Sequence, residues 1–250
     1  REDHPFKTYM DSVGVDLLGD SIVDVDTQLQ SVGAAGHSRF TANNVVAYVS
    51  PNFSGFSFSA AIVAPEESGA GGPGTTKDSL DAYSLGANYS GGGLKVAVAY
   101  EDLDVSSAAA TTLTIGSGTA TTTVTGAVAG QENLGIGASY TFGMFKVGAK
   151  YEQSDNQFGL AGLDAERYSI SGMATFGNNE VGVTYNDEEW DLSGAGNVAE
   201  ADGWGVFAAH NFSNRTKVYA AYSDSQLDTP AAVGINVEND RFAVGMIHSF

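Results

Sequence analysis

The sequence predicts an all-β protein, a transmembrane antiparallel β-barrel, and three observations carry that expectation. Apolar residues alternate with small or polar ones at a period of two, in segments of roughly ten residues, and helical spacing is almost absent. The connections between segments are alternately short and long. Nearly all the acidic residues fall in the opening segment and the long connections with their flanks.

The first two strands are read at 43–49 and 55–63, divided by the turn Ser50-Pro51-Asn52-Phe53-Ser54. In the second, Phe56, Phe58, Ala60 and Ile62 take one face, and Gly55, Ser57, Ser59 and Ala61 the other. The rhythm returns in Tyr83–Tyr89, Leu94–Tyr100, Leu134–Phe142, Phe145–Tyr151, Tyr168–Phe176, Val181–Tyr185, Trp204–Phe212, Val218–Tyr222 and Phe242–Phe250, eleven strands in all. A soluble sandwich would carry strongly charged outer faces. Here the second face is Gly, Ser, Ala, Thr and Asn with an occasional charge, and aromatic residues close the ends of the apolar face, as in a membrane barrel with aromatic girdles.

Short connections lie at 50–54, 91–93, 142–143, 177–179 and 213–214, and long ones at 64–79, 101–130, 153–164, 187–201 and 224–238. In a meander, alternate connections share an end, so all short turns fall at one rim and all long loops at the other, the asymmetry of outer-membrane barrels. A Greek-key sandwich has no reason to keep it. The segment Ser106–Gly130, rich in Ala, Thr and Gly, is expected to be a mobile or hairpin-forming loop at the long-loop end.

Composition narrows function. Among 250 residues there are 32 Gly and no Cys, and 11 Lys and Arg against 30 Asp and Glu give a net charge of -19. Such a surface repels nucleic acid phosphates. No apolar run is long enough for a transmembrane helix, which leaves a barrel untouched. No basic leader with an apolar core opens the chain, so any signal peptide is expected to lie outside it. No catalytic constellation stands out: His210 and His248 lie on apolar strand faces, and His4 and His37 lack partners at useful spacing, so the chain is read as no enzyme.

Three stretches, REDHPFKTYMDSVGVDLLGD at the start, RFTANNVVAYVSPNFSGFSFSAAI at 39–62 and DRFAVGMIHSF at 240–250, resemble the general-diffusion porins of Gram-negative, particularly proteobacterial, outer membranes. The resemblance implies a 16-stranded trimeric barrel whose third external loop folds inward as a constriction. On that reading 1–42 is the end of a strand plus the constriction loop, 43–250 holds strands six to sixteen, and the first five strands have no counterpart. The implied activity is passive diffusion of small hydrophilic solutes and ions, with lipid, lipopolysaccharide and a homotrimer as partners and the outer membrane as location. A substrate-specific channel, a plugged structural or adhesive barrel, and a soluble binding sandwich are the competing readings.

Given the resemblance, Asp11, Asp16, Asp20, Asp24 and Asp26 are expected to line the constriction and give weak cation preference, with Arg39, Lys95, Lys146, Lys150 and Arg241 on the facing wall. No cofactor is required. The acidic clusters Asp102 with Asp104, and Asp187, Glu188, Glu189 and Asp191, offer hard oxygen ligands suited to Ca²⁺, without the spacing of an EF-hand.

Overall fold

Each of the eleven period-two segments forms a strand, and each strand pairs with its neighbours in chain order. The structure is a computed structural model describing residues 2–3, 5–17, 23, 41–42, 45–63, 82–103, 111–117 and 120–248. The chain opens with β1 (Glu2–Asp3), α1 (Pro5–Ser12) and β2 (Thr41–Ala42). There follow β3 (Val45–Val49), β4 (Phe56–Val63), β5 (Ala82–Gly91), β6 (Leu94–Leu103), β7 (Thr111–Ser117) and β8 (Ala120–Gly126). Then come β9 (Gln131–Phe142), β10 (Phe145–Asp155), a 3-10 turn at Gln157–Gly159, β11 (Leu163–Phe176), β12 (Asn179–Leu192), β13 (Gly196–Ser213), β14 (Thr216–Asp228) and β15 (Asn236–His248).

Strands β3 to β6 and β9 to β15 make one antiparallel sheet of eleven, the wall of a porin-like barrel. Among the described residues β3 and β15 are its outermost strands. The expected hairpin exists: β7 and β8 pair only with each other. Residues Glu2 and Asp3 pair with Ala42 and Thr41, so the two ends of the opening segment meet. At the short rim, the turns after β9 and β11 place Gly143 and Gly177 at φ 57° and 60°, the left-handed region that two-residue hairpin loops demand.

The two faces of the sheet differ as the alternation requires. Phe56, Phe58, Leu94, Val98, Tyr140, Phe145, Trp204 and Phe242 are all exposed on the outer face, as expected. Aromatic residues bracket that face at both heights. Phe56 stacks near Tyr89 and Phe142 near Phe145 towards the short rim, while Tyr83 meets Tyr100, Tyr151 meets Tyr168 and Trp204 meets Tyr222 at the other.

At the long-connection end the structure corrects the sequence reading. Residues 187–191 belong to β12, and only Ser193–Ala195 separate β12 from β13. The expected loops at 153–164 and 224–238 are likewise partly strand, because β10 runs to Asp155 and β14 to Asp228. The hydrogen-bonded ladder therefore outlasts the apolar belt, and beyond the belt the faces exchange character. On β12 the outward series Val181, Val183, Tyr185 continues as Asp187, Glu189, Asp191, while the inward series ends in Glu188, Trp190 and Leu192. On β11, Ile170 and Tyr168 give way outward to Glu166 and Asp164, and Ala165 and Leu163 point inward. In this upper part β11 and β12 carry acid outside and apolar ends inside, the arrangement of a sheet standing in water, while the adjoining inner face of β6, β9 and β10 holds buried Glu101, Gln131, Asn133 and Ser154.

Over β11 to β14 the inner face carries a core of Ile115, Leu160, Leu163, Ala165, Trp190, Ala199, Ala201, Leu227 and Ile235, all buried. Leu163→Ala, at a fully buried site, should therefore lower unfolding stability by about 2–5 kcal/mol. Ile170→Ala, where the side chain is 55% exposed on the outer wall and no cavity forms, should cost far less. Urea titration of both variants in phospholipid vesicles measures the contrast.

Candidate functional site

The opening segment carries a helix that the period-two reading missed. Its signal was present: Phe6, Tyr9, Met10 and Val13 follow helical spacing and all four are buried. Pro5 occupies the first helical position, where its missing N–H costs nothing. Gly14, at φ 65°, ends the helix and donates its N–H to the Asp11 carbonyl at 2.9 Å.

Helix α1 lies on the inner face of β5, β6 and β9, where the wall residues are small. Phe6, Tyr9, Met10 and Val13 pack with Ala97 and Ala99. A Cβ on Gly135 would stand 2.5 Å from Met10 Sδ, and one on Gly86 would collide with the Tyr9 ring. The crossing continues beyond the helix: Val15 sits over Gly148, Leu17 over Gly182 beside Phe207, and Val23 clusters with Ala221 and Ala243. Residues 5–17 and Val23 thus meet the inner face at points from β5 to β15, on glycine and alanine that the sequence reading took mostly as weakly polar lining.

Polar side chains of the wall hold this segment by its backbone. Ser84 Oγ accepts from the Phe6 N–H at 3.0 Å, serving an N-terminal donor that has no partner within the helix. At the other end Lys95 Nζ donates to Ser12 O at 3.3 Å, Ser139 Oγ to Val13 O at 2.6 Å and Lys146 Nζ to Gly14 O at 2.6 Å. Cations there also meet the negative end of the helix dipole. Lys95 and Lys146, expected as pore-wall charges, are anchors of the segment.

The other expected lining residues divide. Asp11 and Asp16 are exposed on the crossing segment. Although the Asp11 side chain reaches solvent, the surrounding wall partly desolvates its carboxyl and raises it above its ordinary range, and Lys150 and Lys7 oppose that shift. Lys150 lies on the inner face with Nζ 3.1 Å from Glu152 Oε2. Arg241 is on the inner face of β15, opposite Ser223. Asp20, Asp24, Asp26, Arg39 and Asp104 lie outside the described residues.

The acids at 187–191, a candidate Ca²⁺ cluster, divide between the two faces of β12, and Asp104 of the other cluster lies outside the described residues. Strand alternation sends Asp187, Glu189 and Asp191 outward and Glu188 inward, where it accepts from Arg167 Nη2 at 2.6 Å and from Trp190 Nε1 at 2.7 Å. That buried ion pair was invisible in a sequence read as loop. Asp102 faces outward opposite Glu132. Among the described residues no three His, Asp or Glu side chains are grouped to hold a metal. The outward acids stand instead in cross-strand rows, with Glu166, Glu189, Glu200 and Asp228 directly opposite one another in turn.

A wall that is apolar outside, polar within and crossed internally by an anchored segment defines an outer-membrane β-barrel channel. The model of the Gram-negative porin family matches residues 1–230, and the chain belongs to that family. It is accordingly a Gram-negative outer-membrane protein and not an enzyme. Solved structures share the fold. The anion-selective porin from Comamonas acidovorans is 19% identical with TM-score 0.67, over 100% of this chain and 72% of that one. OmpF of Salmonella typhi, in complex with daunomycin, is 14% identical with TM-score 0.61, over 99% and 73%. In-vitro folded OmpT of Vibrio cholerae is 16% identical with TM-score 0.59, over 90% and 74%. Comparison with curated proteins gives no significant match.

The anchoring predicts a defined defect. Ser139→Ala leaves the Val13 carbonyl without its buried donor, a loss of about 1–3 kcal/mol in the attachment of the segment. Gly135→Ala pushes on the same segment from below α1. Both variants should raise current noise in single-channel recordings and leave the zero-current potential unchanged, since neither alters a charge.

Proposed function

We propose that residues 1–42 are the end of a strand followed by a constriction loop, and that 43–250 form strands six to sixteen of a water-filled channel with weak cation preference. Passive diffusion of small hydrophilic solutes and ions is its activity. The pairing of Glu2–Asp3 with Thr41–Ala42 supports the first part, because it brings the two ends of the segment together. The observation that carries the selectivity is the charge exposed on the crossing segment. Asp11 and Asp16 face solvent, while Lys95 and Lys146 are turned onto a helix C-terminus worth roughly half a negative charge and Lys150 stands beside Glu152.

Homotrimeric assembly is part of this reading, supported by the broad exposed apolar wall that closed symmetry would partly bury. So is contact of the outward acid rows with lipopolysaccharide, divalent cations bridging carboxylates to phosphates; the like-charge rows support it, since they call for counter-ions. A plugged barrel is the second reading, favoured by the apolar core that fills part of the interior at the long-connection end. Single-channel conductance separates the two, because a plugged barrel carries no steady current.

Asp11→Asn with Asp16→Asn tests the selectivity. A carboxylate about 8 Å from a passing cation contributes about 0.5 kcal/mol in water, roughly twofold in local cation concentration. The zero-current potential under a salt gradient should shift towards neutrality in the double variant, and the difference should shrink in concentrated salt. Because the Asp11 carboxyl is raised, acidification should protonate it at a higher pH than an ordinary aspartate, so cation preference should begin to fall early in an acid titration of the parent. An anion-preferring parent would reject the assignment.

A further inference from the structure

The inner face carries a second obstruction besides the crossing segment. The β7–β8 hairpin inserts Ile115, with Leu113 and Val124 beside it, into the apolar core formed by the inward residues of β11 to β14. Its side of the wall is fixed by alternation: Leu163, Ala165, Trp190, Ala199, Ala201 and Leu227 share the face that α1 covers lower down. The two obstructions stand at different heights. Val15 crosses β10 at Gly148, which pairs with Ser171, six residues from Ala165, and on β12 the separation from Gly182 to Trp190 is eight residues. At 3.3–3.4 Å per residue these spans are roughly 20–27 Å of strand.

The hairpin is fastened at its base as well as at its face. Val128 bridges to Leu160, with Ala129 N–H donating to Gly159 O at 3.0 Å and Ala161 N–H to Ala127 O at 2.9 Å. Just beyond, Asn156 Nδ2 donates to Gly130 O and Phe158 N–H to the Gln131 side chain. Removing the hairpin would expose Leu163, Trp190 and Leu227 to water, the apolar inward positions that β11, β12 and β14 present beneath it. A two-stranded layer packed on a sheet occupies about 10 Å of depth.

We propose that the β7–β8 hairpin is a fixed restriction of the channel mouth at the long-connection end, in series with the crossing segment, and that it sets the size limit for solutes while Asp11 and Asp16 bias their charge. The proposal rests on the channel reading above and adds a second determinant to it. Two variants test it in the full chain. In one, residues 111–126 are replaced by a short Gly-Ser linker; in the other, Ile115→Asp expels the hairpin from its seat. Folding of each is checked by the slower migration of the protein on gels after heating.

In folded variants, single-channel conductance should rise on the order of 1.5- to 2-fold, as expected when one of two comparable restrictions in series is removed. Liposome swelling should admit larger neutral sugars than the parent admits, and the zero-current potential should stay at the parent value. Folded variants with parental conductance and parental sugar exclusion would overturn the proposal. A silent parent with conducting variants would overturn it too, making the hairpin a plug; parent and variants all silent would remove the channel reading and the proposal with it.

Discussion

A β-strand must send every second side chain to the opposite face, and the rest of this structure depends on that constraint. Over the height of the apolar belt it yields lipid-facing Phe, Val, Leu and Tyr outside and small or polar residues inside. Small residues inside are what allow residues 5–17 to lie against the wall, since α1 touches glycine and alanine where a larger side chain would hold it off. Above the belt, on β11 to β14, the same alternation runs with its polarity exchanged, and their inner face carries an apolar core covered by the hairpin. One chain thus builds two different cross-sections without breaking the ladder between them.

The wall's few inward cations illustrate how a charge can serve geometry before it serves permeation. Lys95 and Lys146 end on carbonyls at the C-terminus of α1, where they complete hydrogen bonds that the helix cannot make for itself. Arg167 is spent higher up on Glu188, whose second oxygen takes the indole N–H of Trp190 and so fixes a large residue of the upper core. A buried pair of this kind is weak evidence for stability in itself, but removing one partner would leave a buried charge unmatched. Asp11 and Asp16 are exposed on the segment that those lysines position.

Most of the wall was legible in the sequence because lipid imposes a strict pattern: Leu94, Val96, Val98 and Tyr100 can be read as one face without any other information. The strand ends were not, since Asp187, Glu189 and Asp191 continue the outward face of β12 in a different chemistry and so resemble a loop. Helix α1 escaped because four apolar residues at helical spacing sit among charges and glycine in a stretch with no strand signal. Of the candidate lining, Asp11 and Asp16 were named by resemblance, and both are exposed on the crossing segment. The anchoring role of Lys146 could not be read, because it depends on a carbonyl that lies 132 residues away in the chain.

The rows of outward carboxylates on β11 to β14 also govern how the protein enters a bilayer. An aspartate carried to the middle of the hydrocarbon costs about 2.5–3.5 kcal/mol on insertion scales, and Glu166, Glu189, Glu200 and Asp228 would have to move together because they are in register. Among the described residues the opposite rim carries short turns, with Glu180 matched by Lys217 at 2.8 Å. The acidic rim therefore opposes passage through the hydrocarbon, and the short-turn rim meets the smaller electrostatic barrier to entering it.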